Sequence, residues 1–93
     1  MTRREGDRLF IAGPVTLANV TKTLEESLAQ IRAGASVIDL SEVTDLDSSL
    51  LAAILAVVRE ARATNRKLVL ANLPEGIQTL AGLYGVGELL PVS

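Results

Sequence analysis

The sequence predicts a single α/β domain over residues 1–93, in which helices pack on a β-sheet. Short β-rich segments alternate with longer segments whose apolar residues recur every three or four positions. Strand–helix–strand units with short connections favour right-handed parallel crossovers. Only Phe10 and Tyr84 are aromatic, although 48% of the residues are hydrophobic, so the core is expected to be aliphatic.

The first third of the chain predicts one strand, a further candidate strand and one helix. Arg8–Ala12 is a short strand ended by Gly13-Pro14, and Met1–Glu5 is the further candidate. Thr16–Arg32 is an amphipathic helix, which Gly34 ends. One stripe of this helix carries the apolar residues expected in the core: Leu17, Val20, Leu24, Leu28 and Ile31.

The remainder predicts two strands and two helices. Ser36–Leu40 is a buried strand, and a strongly apolar helix then runs from Ser48 to about Thr64. Lys67–Ala71 is the next strand. The chain then has a short helix, Glu75–Leu83, presenting Ile77, Leu80 and Leu83, and a last short edge element, Val86–Leu90.

Composition narrows the function classes. A net charge of −2 and 2% aromatic residues provide neither a basic surface nor stacking side chains for nucleic acid. Without cysteine there is no thiol nucleophile, and without histidine the usual general base and the commonest transition-metal ligand are missing. No Gly-x-Ser-x-Gly elbow or glycine-rich phosphate loop occurs. We therefore expect no enzymatic activity, no cofactor and no nucleic-acid partner.

No run of about eighteen apolar residues is present that would span a membrane. The N-terminal segment is polar and lacks the apolar middle of a signal peptide. These features predict a cytoplasmic protein without direct membrane insertion.

The most informative segment is Asp47-Ser48-Ser49, which opens the apolar helix directly after a short acidic loop. Asp and Ser side chains cap helices by accepting hydrogen bonds from the free N–H groups of the first turn. A hydroxyl at this place can act as a cap, as a contact for a partner or as an acceptor for phosphate. The residue pattern leaves these three roles open.

The helix after this motif is apolar around most of its circumference. Leu51, Leu55 and Val58 form one stripe, and a neighbouring stripe contains Leu50, Ile54 and Val57. Either a wide stripe is buried, with Ala53 and Ala56 exposed, or the second stripe is a docking surface headed by Ser48. An exposed stripe would also allow the isolated chain to form a homodimer.

Charged residues cluster on both sides of this helix. Asp39, Glu42, Asp45 and Asp47 are oxygen donors of the kind that bind Mg²⁺, but strand alternation and loop solvation favour scattered carboxylates over a metal site. The cations collect at the C-terminal end of the helix and complement its dipole: Arg59, Arg62, Arg66 and Lys67.

The strand followed by Asp47-Ser48-Ser49 at the head of a helix resembles the STAS domain, the sulfate transporter and anti-sigma-factor antagonist family. The resemblance covers almost the whole chain and implies a STAS-like single domain with a mixed sheet of about four to five strands. Within this family, the chain is similar to the MlaB-like branch in three places: the segment Gly13-Pro14-Val15-Thr16, the apolar helix, and the ending from Leu80 to Pro91.

That branch implies a cytoplasmic subunit of an ABC transporter that maintains outer-membrane lipid asymmetry. The chain would bind the ATPase subunit, and through it the membrane permease, and would be peripheral to the inner membrane. The resemblance implies a contact at Ser48, and we expect Asp47, Ser49, Leu50, Ile54 and Val57 to belong to the same surface. Binding there would stabilise or regulate the ATPase and so support phospholipid transport.

Two alternatives remain. An anti-sigma-factor antagonist would be switched by phosphorylation of Ser48, the first serine of the motif. Such antagonists have Gly where this chain has Leu50, which favours a docking surface over access by a kinase. A small-ligand carrier would use an apolar groove between helix and sheet.

Overall fold

Four strands form one mixed sheet in the order β1-β2-β3-β4: Thr2–Glu5, Arg8–Val15, Val37–Leu46 and Val69–Ala71. Strand β1 is antiparallel to β2, whereas β2, β3 and β4 are parallel. The structure is a computed structural model and describes residues 1–92. It confirms the predicted α/β class with a four-stranded mixed sheet.

Three helices follow in alternation with the strands: α1, Val20–Arg32; α2, Ser48–Ala63; and α3, Glu75–Leu83. A 3₁₀ turn covers Gly87–Leu89. None of the helices in residues 1–92 has the length and hydropathy that crossing a membrane would require.

The core is aliphatic, as the composition predicts. Alternate side chains of the strands, such as Leu9, Ile38 and Leu70, lie on the face covered by the helices and are at most 1% exposed. Phe10 and Asp39 belong to the opposite face. Burial of the aliphatic face against α1, α2 and α3 therefore fixes which side chains the strands direct outward.

Strands β2 and β3 both extend beyond their predicted ends. The sequence predicts an end of β3 at Leu40, but the strand continues to Leu46. The prediction that Gly13-Pro14 ends β2 is wrong, because the strand continues to Val15, which pairs with Leu46. The β2–β3 register shifts at Gly13/Pro14, and β1 pairs only as far as Ile11. Pro14 therefore lies at an irregularity beyond the β1 pairing, where a strand tolerates a residue without an N–H.

The first helix starts later than predicted, and this moves Leu17 out of the core. Residues 16–19 form a turn in which the Asn19 backbone N–H donates to the Thr16 carbonyl at 3.0 Å. The Asn19 side chain accepts from the Thr16 backbone N–H at 2.9 Å. Leu17 is 79% exposed, so its assignment to the buried stripe is wrong. Asn19 competes with helix formation by bonding the local backbone.

The predicted edge element at Val86–Leu90 is also wrong, because this segment contains the 3₁₀ turn. The chain pairs with the edge of β4 two residues after this segment, where Val92 forms a parallel bridge with Leu70. The Leu70 backbone N–H donates to the Pro91 carbonyl at 2.8 Å. The chain thus returns to the sheet only after the turn.

Candidate functional site

Asp47 is the N-cap of α2. One carboxylate oxygen accepts from the Ser49 backbone N–H at 2.9 Å and also from the Ser49 hydroxyl. The bond from the Ser49 side chain, with those from the backbone N–H groups of Leu17 and Ser49, lowers the pKa of Asp47 below its ordinary value. The capping role that the sequence left open between Asp47 and Ser48 therefore belongs to Asp47.

The other carboxylate oxygen of Asp47 binds the preceding loop. It accepts from the Leu17 backbone N–H at 3.0 Å, across 30 positions of sequence. Because the same carboxylate caps α2, the backbone of Leu17 is held next to the first turn of that helix, and its side chain is exposed.

Ser48 is the first residue of α2 and its side chain is exposed. In the part of the chain that the structure describes, its hydroxyl forms no hydrogen bond with protein groups, unlike that of Ser49. The hydroxyl therefore lies free at the positive end of the helix dipole. Such a group can contact a partner or accept a phosphate without disturbing the cap.

A groove of about 330 Å³ begins at Ser48 and lies between α2 and the chain after α3. Leu51 closes its floor at 3% exposure, while Tyr84 is 62% exposed on the opposite wall. We call this the Ser48 groove, and it is lined by six residues: Ser48, Leu51, Ala52, Leu55, Tyr84 and Val86.

The stripe expected to form the docking surface lies in the core instead. Leu50, Ile54 and Val57 are 1–2% exposed and pack in the aliphatic cluster. The helix contacts α1, α3 and the sheet side of the core, so it needs a wide apolar face. The expectation that these three side chains form a surface is therefore wrong. The predicted exposure of Ala53 and Ala56 is not found: Ala53 is buried and Ala56 is half-buried, whereas Ala52 is exposed.

Sequence reasoning did not assign four residues to the surface around Ser48. Ala52, Tyr84 and Val86 line the Ser48 groove, and the backbone of Leu17 is bonded to Asp47. A signal was present for Tyr84, since Leu83 and Tyr84 lie side by side between Gly82 and Gly85, and a helix end with one buried face does not cover both. Both side chains are exposed, at 76% and 62%.

Two of the four carboxylates considered for a metal site are held by partners on other strands or loops. Asp39 accepts from Arg8 at 2.6 Å and from the Asn72 amide at 3.1 Å. Glu42 forms a two-pronged pair with Arg3, at 2.9 and 2.8 Å. Within residues 1–92, no three acidic side chains converge as metal ligands. On the face of the sheet opposite the helices, Asp39 links β3 to the neighbouring strand β2, and Glu42 links β3 to β1 across β2.

A second concavity, of about 630 Å³, lies at the far edge of the sheet from β1. Leu70, Leu90 and Val92 contribute apolar surface, and Asn72 and Gln78 contribute amides. The Asn72 amide is occupied by Asp39, and that of Gln78 donates to the Leu73 carbonyl at 3.0 Å. These donors are thus already used within the chain.

Comparison with known proteins places the chain in a family. The model of the family described as "Mlab, STAS domain" matches residues 2–91. Among curated proteins, none matches this chain significantly in sequence.

Solved structures share the fold at low sequence identity. The anti-sigma factor antagonist SpoIIAA, in its unphosphorylated form, is 17% identical with a TM-score of 0.70, covering 100% of this chain and 86% of that one. Its phosphorylated form, described as a Bacillus cell fate determinant, is 17% identical with a TM-score of 0.69, covering 100% and 89%. A putative anti-sigma factor antagonist from Thermotoga maritima is 14% identical with a TM-score of 0.75, covering 99% and 83%.

Proposed function

We propose, from the premise that this chain belongs to the STAS domain family, that it is a non-catalytic subunit of an ABC transporter. It binds the ATPase subunit through the Ser48 groove, and through that subunit it is joined to the membrane permease. The transporter moves phospholipids between the inner and outer membranes, and the chain is cytoplasmic and peripheral to the inner membrane. The family match over residues 2–91, by its description, supports the MlaB-type role.

The observation that carries the proposal is the combination of a free hydroxyl and exposed apolar side chains at one end of a packed domain. Ser48 lines the groove together with Tyr84, and the backbone of Leu17 is bonded to the neighbouring Asp47. The side chains of Leu17 and Tyr84 are 79% and 62% exposed. A tyrosine in a concave apolar surface is a typical centre of a protein interface. Covering a leucine contributes on the order of 2 kcal/mol.

Binding at this surface stabilises the ATPase by mass action. A ligand that binds only the folded, competent form of a protein shifts the equilibrium toward that form. The chain needs no catalytic group for this role, because the free energy comes from the surface that is covered. The same linkage allows it to regulate ATP hydrolysis when one state of the ATPase fits the groove better than another.

The test is a pull-down of the tagged chain from a detergent extract of its native cell, with mass spectrometry of the recovered proteins. We expect an ABC ATPase together with its permease. Ala52→Glu places a charge on the exposed side of the groove and should abolish this recovery. Ala29→Glu, at an exposed position of α1, is the matched control and should leave it unchanged.

Recovery of no ABC ATPase, or equal recovery with Ala52→Glu, would overturn the proposal. Recovery of a serine kinase, with a phosphate on Ser48 by intact-mass measurement, would instead identify an anti-sigma-factor antagonist. Such a phosphate at the head of α2 would be favoured by the helix dipole and opposed by Asp45 and Asp47.

A further inference from the structure

The residues on the exposed side of α2 are regularly spaced, and binding to the ATPase does not by itself explain this spacing. Ser48, Ala52, Leu55 and Arg59 follow one another at intervals of four, three and four residues, so they lie along one side of the helix. Ser48, Ala52 and Arg59 are exposed and Leu55 is half-buried. This row forms the α2 wall of the Ser48 groove and continues one turn beyond it.

Opposite charges lie near the two ends of this row. Asp45 is exposed near the end of β3, two residues before the cap, and Arg59 is exposed at the start of the fourth turn of α2. Neither side chain forms an ion pair with another group in residues 1–92, where the pairs involve other residues. The helix dipole does not account for Arg59, because its effect is confined to the last turn, where Arg62 lies.

The residues of this row are complementary to those of a second copy of the row that runs in the opposite direction. If two copies of α2 lie antiparallel about a two-fold axis between Ala52 and Leu55, Ala52 of each copy faces Leu55 of the other. Ser48 then faces Arg59, and the arginine approaches Asp45. Ser48 and Arg59 lie about 16 Å apart along one helix, at 1.5 Å per residue, so both ends match at once.

We propose that a second copy of this chain occupies the Ser48 groove in the absence of another protein partner, with the two α2 helices antiparallel. The small Ala52 side chain permits close approach of the helices, and Tyr84 and Val86 of the other wall cover the incoming helix. The two-fold axis repeats each Asp45–Arg59 pair.

The chemistry of the groove favours this occupant over an extended peptide or a lipid surface. The lining comes from α2 and from the chain after α3, so it offers no strand edge to pair with an extended segment. An anionic bilayer attracted to Arg59 would meet Asp45 and Asp47 at the other end, on a chain of net charge −2. A second copy presents both charges in the required order.

One consequence rests on the function proposed above: self-association and ATPase binding exclude each other, because both use the Ser48 groove. The homodimer then contains chains that are not bound to the ATPase, and it must dissociate before the ATPase can bind. The contact is small, which places self-association at the weak end of protein interfaces.

The test is sedimentation velocity of the purified chain from about 1 μM to 1 mM, a range that covers weak association. We expect a concentration-dependent shift from monomer to dimer. Arg59→Asp replaces both attractive pairs by repulsion and should weaken the dimer about five- to tenfold, and Asp45→Arg combined with Arg59→Asp should restore it. Ala52→Glu should abolish the dimer, whereas Ala29→Glu should not affect it.

A chain that stays monomeric over the whole range would overturn the proposal, as would a dimer that tolerates either Arg59→Asp or Ala52→Glu. Failure of the double charge exchange to restore association would overturn the antiparallel arrangement. Binding of the monomer to vesicles of phosphatidylglycerol and phosphatidylethanolamine, without a dimer, would assign the surface to lipid.

Addition of the ATPase separates the two proposals. If the ATPase binds only the monomer, both are supported. If it binds the intact dimer, the groove is not shared and the exclusion is overturned, while transporter docking elsewhere on the chain remains. If the dimer forms through α2 and no ATPase binds, the proposed function fails and self-association stands.

Discussion

The backbone N–H of Leu17 donates to the carboxylate of Asp47 at 3.0 Å, and this bond joins the loop before α1 to the first turn of α2. The same side chain caps α2 through the Ser49 N–H at 2.9 Å. One carboxylate therefore fixes both the start of the helix and the position of an exposed leucine beside Ser48. Stability and the shape of the candidate surface depend on the same group.

The cap predicts different effects for two neighbouring residues. Asp47→Ala should lower the free energy of unfolding by about 1 kcal/mol, the usual contribution of an N-cap. Ser48→Ala should change it by less than about 0.5 kcal/mol, because an exposed hydroxyl without a protein partner contributes little. Urea unfolding at neutral pH measures both. An equal loss in the two variants would contradict the assignment of the cap to Asp47.

Burial of the α2 stripe predicts a contrast between the two sides of the helix. Leu50 is 1% exposed, so Leu50→Asp places a carboxylate in the aliphatic core and should destabilise the chain by about 4 kcal/mol or more. Ala52→Glu adds a charge on the solvent side and should change stability by about 0.5 kcal/mol or less. Circular dichroism with urea compares the variants, and a folded, stable Leu50→Asp chain would contradict the observed orientation of α2.

Acid should weaken the fold through Asp39. Burial acts to raise its pKa, but hydrogen bonds from Ser41, Asn72 and Arg8 lower the pKa to about 2, from 3.8 in an unfolded chain. A depressed pKa contributes stability above pH 3.8 that is lost as the pH falls toward 2. The full contribution is about 2 kcal/mol at neutral pH, and less where solvent screens Arg8.

The check is urea unfolding between pH 7 and pH 2. Asp39→Asn should be less stable at pH 7 and should lose less stability on acidification than the unmodified chain. Glu25→Gln, which changes an exposed carboxylate of α1, is the control and should follow the unmodified chain. If the stability of the chain depends on pH in the same way with and without Asp39, the proposed contribution of the hydrogen-bonded Asp39 carboxylate is contradicted.

Periodicity was sufficient for the elements whose sequence signals are local. The bounds of α3 agree with the prediction, and α2 begins at Ser48 as predicted because Asp47 and Ser49 supply their own capping chemistry. The extent of β2 and β3 depends on pairing between strands that are distant in sequence. Gly13-Pro14 predicts a stop by local rules, yet pairing with β3 carries the strand through it.

The orientation of α2 could not be predicted from its own residues. Leu50 and Leu51 are both apolar and both are at most 3% exposed, so hydrophobicity alone does not separate the stripes. The difference arises because α1 and α3 pack along the helix and leave only the side of Ala52 open. The Asp47-Ser48 motif thus predicts the position of the candidate surface, while tertiary packing determines which apolar groups share it.

The groove predicts that binding and folding can be separated at Tyr84. Tyr84→Ser removes an aromatic ring that is 62% exposed, so it should change the free energy of unfolding by less than about 1 kcal/mol. If the ring becomes covered in the complex, the same change should weaken ATPase binding at least about tenfold, as expected for an aromatic centre of an interface. Titration calorimetry with the purified ATPase measures the affinity.

The matched control is Leu83→Ser, because Leu83 is 76% exposed and does not line the groove. Its effect on affinity should be less than about threefold if the groove is the contact, since side chains outside an interface contribute little to binding. Equal losses for Leu83 and Tyr84 would move the interface to the end of α3. No loss for Tyr84 would remove the groove from ATPase binding, even if Ser48 itself remained in contact.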